Sequence, residues 1–399
     1  MNDMTKLTLN DVTVSGKKVF LRVDFNVPME GGKITDDTRV RAALPTINYL
    51  QEHGARVIVA SHFGRPKGKR DDSYSLEPVA EHLAKLLGHN VLFVPDCVGA
   101  EVVAATNSLG DGEVLMLENL RFYPGEESGD VEFARQLAQL AEVYVNDAFG
   151  AAHRAHASVS VLPGLMEWAA AGFLMTREIE YLGAAMDNPR RPFVAVLGGA
   201  KVSDKIKVIE NLISKVDSLI IGGGMANTFL KAKGFEVGKS LFETVHLELA
   251  SELLSLAECS KVQVLLPIDV VVAESIDAPE GVVMGCDEVP ADMMIVDVGP
   301  ESSEAFGSVL KSARMVIWNG PMGVFENPAF SVGTVEIATA LAASKAVSIV
   351  GGGDSVAAVE QAGLASAMTH ISTGGGASLE FLEGRTLPGV AALSERTLD

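Results

Sequence analysis

The sequence predicts an α/β protein built as two doubly wound, parallel-sheet domains. Three observations carry that expectation. The chain has 399 residues, more than one ordinary hydrophobic core organises. Short apolar runs that do not alternate with polar residues recur along it, the pattern of strands buried on both faces. Most of these runs end in Gly, Pro or Asp and lead into helical periodicity, the alternation expected of βαβ units.

In order, the first half contains "VFLRVDFNVP", "RVIVASHFGRP", "EVLMLENLRFYPGEE" and "VYVNDAFGAAHRAHAS". Each reads as a strand whose end carries Arg, His, Asp or Asn. "GFLMTREIEYLGAAMDNPRRP" then reads as one helix stopped at Asp187-Asn188-Pro189, because proline and the residue before it disfavour helix. The second half repeats the strand pattern with glycine-rich ends: "FVAVLGGAK", "SLIIGGGMAN", "VQVLLPIDV", "MMIVDVGPES", "MVIWNGPMG", "VSIVGGGDS" and "HISTGGGAS". The expected division is residues 1–171, a linking helix over 172–189, and residues 190–384.

Bulk properties exclude several classes. Apolar residues make up 48% and charged residues 21%, as in a folded globular chain. No run approaches 18 uninterrupted apolar residues, so no membrane span is expected. "MNDMTKLTLNDV" has no apolar core or cleavage site and does not read as a secretory signal. Cys97, Cys259 and Cys286 are odd in number without C-x-x-C spacing, which reads as free thiols in a reducing cytoplasm. A formal charge of −20 argues against nucleic acid, whose phosphates need a basic surface. A small anion is still allowed, since it feels local charge and backbone dipoles.

Two groups of motifs suggest such an anion. Val202, Ile206, Ile209, Ile213 and Val216 recur at helical steps and predict one buried stripe. Lys201 and Lys205 would share another row at the helix start, where cations are unfavourable unless an anion joins them. Gly198 and Gly199 allow close backbone approach there; a solvated lysine face after a tight turn is the alternative. "GGGMAN", from Gly222 to Asn227, nearly matches a dinucleotide fingerprint, but Asn227 replaces the third glycine. Packing and ligand approach both explain it. In "GGGDS", Asp354 and Ser355 either cap the following helix, or the free N–H groups hold phosphate while Asp354 reaches Mg²⁺.

In the first half, Arg22, Asp24 and Asn26 should share one strand face, with Val23, Phe25 and Val27 on the other. Polar residues there are costly unless they bind something or each other. Arg39 opens a helical pattern; His62 and Arg65, Arg121, then His153 and Arg154 follow successive strands. Ligands of open parallel sheets bind beyond the carboxyl ends of strands. Arg39, Arg65, Arg121 and Arg154 converging there read as a socket for a small, highly charged anion.

Taken together, "FLRVDFNVP", "SHFGRP", "LGGAKVSDK", "IIGGGMANTFLKAKG", "WNGPMGVFE", "GGGDS" and "STGGGAS" resemble phosphoglycerate kinase in sequence and order. The resemblance runs from Val19 to Gly376, with Ser355 where threonine is common and "FYPGEE" varied. It implies Rossmann-like domains joined by a helix, with a cleft between them and the tail 385–399 returning to the first. By resemblance, Asp24, Phe25, Asn26, Arg39, His62, Phe63, Gly64, Arg65, Arg121 and Arg154 bind 3-phosphoglycerate. Nucleotide would lie against Gly198, Gly199, Ala200, Lys201, Lys205, Gly222, Gly223, Gly224, Asn319, Pro321, Val324, Glu326, Gly352, Gly353, Asp354 and Ser355. Glu326 would take the ribose and Asp354 the Mg²⁺. Arg39, Lys201, Lys205 and Gly375 would serve the phosphoryl group in flight. The implied enzyme is a monomeric, cytoplasmic, glycolytic kinase that closes by hinge bending. It moves phosphate between 1,3-bisphosphoglycerate and ADP, giving 3-phosphoglycerate and ATP.

Two rival classes are weaker. A nicotinamide-dependent dehydrogenase needs G-x-G-x-x-G and a later acidic residue, which no glycine turn here supplies. A non-catalytic anion-binding protein explains the arginines but not the separate Gly-Lys and Gly-Asp set.

Overall fold

A computed structural model describes residues 6–396. Residues 1–5 of the N-terminal segment and 397–399 of the tail lie outside the described residues. The chain divides into two compact units. One runs to Gly183 and takes the chain again from Thr386; the other is Ala184–Arg385. The helix Phe173–Asp187 contains the division and stops where Asn188-Pro189 ends helical geometry.

Unit 1 contains β1 (Lys18–Arg22), a small hairpin of β2 (Met29–Glu30) and β3 (Lys33–Ile34), then β4 (Arg56–Ala60), β5 (Val91–Val94), β6 (Val114–Leu117), β7 (Val143–Asn146) and β8 (Trp168–Ala171). Its main sheet has the order β5-β6-β4-β1-β7-β8, parallel throughout. The apolar runs are buried on both faces: Val19, Phe20 and Leu21 in β1 and Val57, Ile58 and Val59 in β4 are all within 1% of complete burial. The tail packs on this unit. Gly389 donates to the Ala152 carbonyl (2.8 Å), Ser394 to that of Ala169 (2.9 Å), and Lys6 pairs with Glu395.

Unit 2 contains β9 (Phe193–Leu197), β10 (Ser218–Ile221), β11 (Gln263–Leu265), β12 (Asp269–Ala273), β13 (Val282–Gly285), β14 (Met294–Val298), β15 (Met315–Asn319), β16 (Val347–Gly351) and β17 (His370–Ile371). Its main sheet has the order β11-β10-β9-β15-β16-β17 and is also parallel. The core centres on Trp318, Val196, Ile220 and Val350.

Three sequence expectations change. The "VFLRVDFNVP" strand stops at Arg22, so Asp24 and Asn26 sit in a loop. Their side chains hold loop backbone instead of a ladder: Asp24 Oδ1 accepts from Asn26 N–H (3.2 Å), and Asn26 Oδ1 from Gly64 N–H (2.9 Å). "VQVLLPIDV" is two strands, and "MMIVDVGPES" gives β14, which is not in the parallel sheet. β13-β12-β14 form a separate antiparallel sheet. The stripe after Gly199 begins later than its periodicity suggests, because the helix is Ile206–Ile213. Val202 is buried, but Ser203 N–H bonds Glu243 and Lys205 N–H closes a turn on the Val202 carbonyl. Lys201 and Lys205 therefore share no helical row, and Ile206 is only half-buried.

Candidate active site

In unit 1, the predicted polar residues follow β1, β4, β6 and β7, which are neighbours in the sheet. Adjacency of their carboxyl ends concentrates what the sequence spreads over more than a hundred residues. Arg39 donates to the Asn26 carbonyl (2.7 Å) and lies 3.6 Å from Asp24. His62 Nε2 is 3.9 Å from the same carboxylate. Arg121 is held in the short turn Leu120–Phe122, where Asn119 accepts its N–H. Its guanidinium donates to the Gly64 carbonyl (2.6 Å) and lies 3.2 Å from Glu127. Arg154 is half-buried and donates to His153 Nε2 (3.3 Å). Arg65 is exposed and makes no ion pair or hydrogen bond among the described residues.

These cations act on one another. Burial and then Arg22, Arg121 and Arg154 hold the His62 imidazole well below its ordinary range. Burial, followed by the same three arginines, pushes His156 down to about 3. Arg121 is lowered by burial first and Arg154 second. The group thus combines fixed positive charge with neutral imidazoles, a setting that favours an incoming anion.

One reading of this set changes, and two observations add to it. Arg22 does not share a strand face with Asp24 and Asn26, which lie beyond the end of β1; it is fully buried and bonds Ser158, the Val23 carbonyl and His62. The rings of Phe25 and Phe63 lie in the core against other apolar side chains, which leaves their backbone groups as what they can offer a ligand. His156, Glu126 and Glu127 were absent from the sequence reading and take part here.

In unit 2, the glycine turns follow β9, β10, β15, β16 and β17, again mostly neighbours. In the first two sets, Gly198, Gly223 and Gly224 are needed where backbone meets backbone. Gly223 has φ +64°, and a Cβ on it would sit 2.7–2.8 Å from Gly199 N, Gly199 O and Pro321 O. A Cβ on Gly198 would collide with the Pro321 and Gly320 carbonyls, and Gly222 is closed by Met322. Gly224 likewise faces the Ala200 carbonyl at 3.0 Å. Gly353 and Gly375 differ, with nothing within 4 Å of a Cβ.

These turns border a cavity of about 390 Å³ whose lining includes Gly199, Ala200, Gly223, Gly224, Pro321, Val324, Glu326 and Asp354. Leu241, Ile276 and Met322 supply apolar walls that the sequence reading missed. Asp297 was missed too. Its buried carboxylate accepts from Gly333 N–H (2.8 Å) and Val298 N–H (2.9 Å), and burial pushes it up to about 7. Buried Asn227 Oδ1 and Asn319 Nδ2 make no hydrogen bond among the described residues.

Lys205 is buried, and its ammonium donates to the carbonyls of Gly198 (2.6 Å) and Asn319 (2.7 Å). It therefore ties the β9 turn to the end of β15 and keeps one of its three donors. Burial pushes it down to about 8, against Asp354 and Asp204. Lys201 is exposed. Ser355 does not cap its helix: its hydroxyl accepts from Gly320 N–H at 2.5 Å. Gly352 is the N-cap of Gly353–Gln361, without a side-chain bond, so first-turn N–H groups stay open to an anion.

Asp354 is exposed and its carboxylate makes no hydrogen bond among the described residues. No group of three or more His, Cys, Asp or Glu could hold a metal ion among them. One open carboxylate fits Mg²⁺, which keeps waters and substrate phosphates as most of its ligands.

A family model described as phosphoglycerate kinase matches residues 9–385. The phosphoglycerate kinase of Moorella thermoacetica is 60% identical over 395 residues, covering 98% of this chain and all of that protein. That of Pelotomaculum thermopropionicum is 55% identical with the same coverage. The solved phosphoglycerate kinase structure from Coxiella burnetii superposes with a TM-score of 0.90 at 44% identity, over 97% of this chain and 98% of that one. The Pyrococcus horikoshii enzyme superposes with a TM-score of 0.80 at 37% identity and the same coverage.

Proposed function

The chain belongs to the phosphoglycerate kinase family, and from that premise we propose how its two units divide the work. It is a phosphotransferase with a carboxyl group as acceptor, acting in glycolysis. It moves a phosphoryl group reversibly between 1,3-bisphosphoglycerate and ADP, giving 3-phosphoglycerate and ATP.

In this reading, 3-phosphoglycerate binds unit 1 through Asp24, Asn26, Arg39, His62, Arg65, Arg121 and Arg154. The nucleotide binds unit 2. The base enters the cavity walled by Leu241, Ile276 and Val324, Glu326 takes the ribose, and the phosphates meet the Gly353–Gln361 helix start and the two lysines. The observation that supports this most is the contrast at the two sets of strand ends: cations and imidazoles in unit 1, an apolar cavity edged by glycine turns in unit 2.

The acceptor carboxylate is ionised at neutral pH, so no general base is needed. The residues' task is in-line positioning and charge stabilisation. Arg39, Lys201, the remaining Lys205 donor and Gly375 backbone N–H serve the transferring group. Mg²⁺, held by Asp354 together with the nucleotide, would offset charge on the phosphate oxygens. Because the two sets lie on different units, transfer between 3-phosphoglycerate and nucleotide requires hinge closure. We place the enzyme in the cytoplasm as a monomer; no helix of the described residues is long and apolar enough to cross a membrane.

A coupled assay with ATP, Mg²⁺ and 3-phosphoglycerate, following ADP, tests the activity. Small-angle scattering with 3-phosphoglycerate and a nonhydrolysable Mg-ATP analogue tests closure. The radius of gyration should fall when both are bound; no fall in active enzyme contradicts closure.

A further inference from the structure

We infer that Arg22 is a positioning residue that fixes His62 as the tautomer with its proton on Nε2. The starting observation is the 3.2 Å contact between Arg22 Nη2 and His62 Nδ1. A guanidinium carries donors and no acceptor. The ring nitrogen facing it must therefore accept, which leaves the single proton of a neutral imidazole on Nε2. A second proton on Nδ1 would point an N–H at an N–H.

The guanidinium cannot turn away to accommodate that proton. Arg22 has no exposed surface. Its Nε donates to Ser158 Oγ (2.8 Å) and its Nη1 to the Val23 carbonyl. Ser158 Oγ in turn donates to Glu126 Oε1 (2.6 Å), whose partner oxygen accepts Ser158 N–H (3.0 Å). The Glu126 carboxylate is also fully buried and lies 3.9 Å from Arg22 Nη2. The guanidinium is thus anchored at Nε and Nη1, with a balancing charge beside Nη2.

Other groups around the ring push the same way or face its far side. Arg121, Arg154 and His156 lie close enough to disfavour a charged ring. Among the described residues, Asp24 is the carboxylate that pairs with Nε2, at 3.9 Å, and would favour an N–H there. Nε2 has no hydrogen-bond partner among the described residues. The result is a neutral donor directed at the anion site, not another titratable cation. An N–H placed this way can orient one oxygen of the substrate while Arg39, Arg65, Arg121 and Arg154 supply charge. This role rests on the placement of 3-phosphoglycerate in unit 1.

The test uses the full chain labelled with ¹⁵N-histidine, its His62 signals assigned by their loss in His62→Gln. Nitrogen-detected correlation spectra should show a protonated Nε2 and an unprotonated Nδ1 from pH 5.5 to 8. A proton on Nδ1, or a titration within that range, overturns the inference. In Arg22→Met/Glu126→Gln, which leaves no lone buried carboxylate, His62 should mix tautomers or titrate; an unchanged spectrum also overturns it. If that variant does not fold, His62→Gln and His62→Asn decide. The Gln amide reaches the Nε2 position and the Asn amide does not, so KM for 3-phosphoglycerate should be about tenfold lower in the Gln variant. Equal KM values, with the wild-type spectrum showing the predicted tautomer, reject the placement of the substrate at Nε2; equal KM values with a proton on Nδ1 overturn the inference. Adding 3-phosphoglycerate should shift the Nε2 signal. The predicted tautomer without that shift supports the Arg22 lock and rejects the placement of the substrate.

Discussion

Replacing Lys205 with Met should have opposite effects on stability and activity as pH rises. Burial lowers the Lys205 ammonium from 10.5 to about 8. At about 1.4 kcal/mol per pH unit, that drop corresponds to about 3 kcal/mol. Between these two values the unfolded chain holds a proton that the folded chain lacks, so stability rises with pH. Below about 8 both states are protonated and the contribution is gone. Wild type minus Lys205→Met should therefore gain about 3 kcal/mol in unfolding free energy between pH 7.5 and 10.5. Activity goes the other way. The wild-type kcat/KM for ADP should fall above pH 8 as the cation is lost, whereas Lys205→Met should be about 10²-fold slower and lack that fall. The protein has two tryptophans, and Trp318 is fully buried in unit 2. In a Trp168→Phe background, Trp318 fluorescence in urea reports unfolding of the unit that holds Lys205. Parallel stability curves for the two proteins, or a wild-type kcat/KM flat to pH 9.5, would refute the reasoning.

Arg39→Ala should reduce turnover by on the order of 10³-fold with circular dichroism unchanged; a loss under tenfold rejects its role on the transferring group. Asp354→Asn should raise the Mg²⁺ requirement and spare 3-phosphoglycerate binding. Titration calorimetry showing the reverse would misplace the metal. Asp297 is raised to about 7, so its contribution to stability is full below its unfolded value and lost as pH rises through 7. Wild type minus Asp297→Asn should therefore lose up to about 4 kcal/mol of unfolding free energy from pH 4 to pH 8; a constant difference contradicts this.

The sequence carried most of the strand ends because parallel sheets place function there. The runs before Gly198, Gly222, Gly320 and Gly352 end where β9, β10, β15 and β16 end. The edge strands were harder to read. β8 is Trp168 and three alanines; alanine is depleted in strands, and this one is held by pairing with β7 and a bridge from Thr8. Arg22, Asp24 and Asn26 were placed on one strand face because period-two alternation was extended past Arg22, where the ladder stops. The Lys205 row failed because tertiary bonds to two carbonyls outweighed helical periodicity. Leu241 and Ile276 are about half exposed and come from separate segments, so nothing local distinguishes them from ordinary surface apolar residues. Only the fold brings them to one cavity.

Hydrogen-exchange mass spectrometry tests the division of substrates between the units most directly. Exchange should be followed in the free protein, with 3-phosphoglycerate alone, and with Mg-ADP alone. 3-Phosphoglycerate should slow exchange around residues 24–26, 62–65, 121 and 154, leaving the glycine turns of unit 2 unchanged. Mg-ADP should slow exchange around residues 198–205, 222–227, 320–326 and 352–356, leaving the unit 1 loops unchanged. Protection of the same segments by both ligands, or of unit 2 turns by 3-phosphoglycerate alone, would contradict the account.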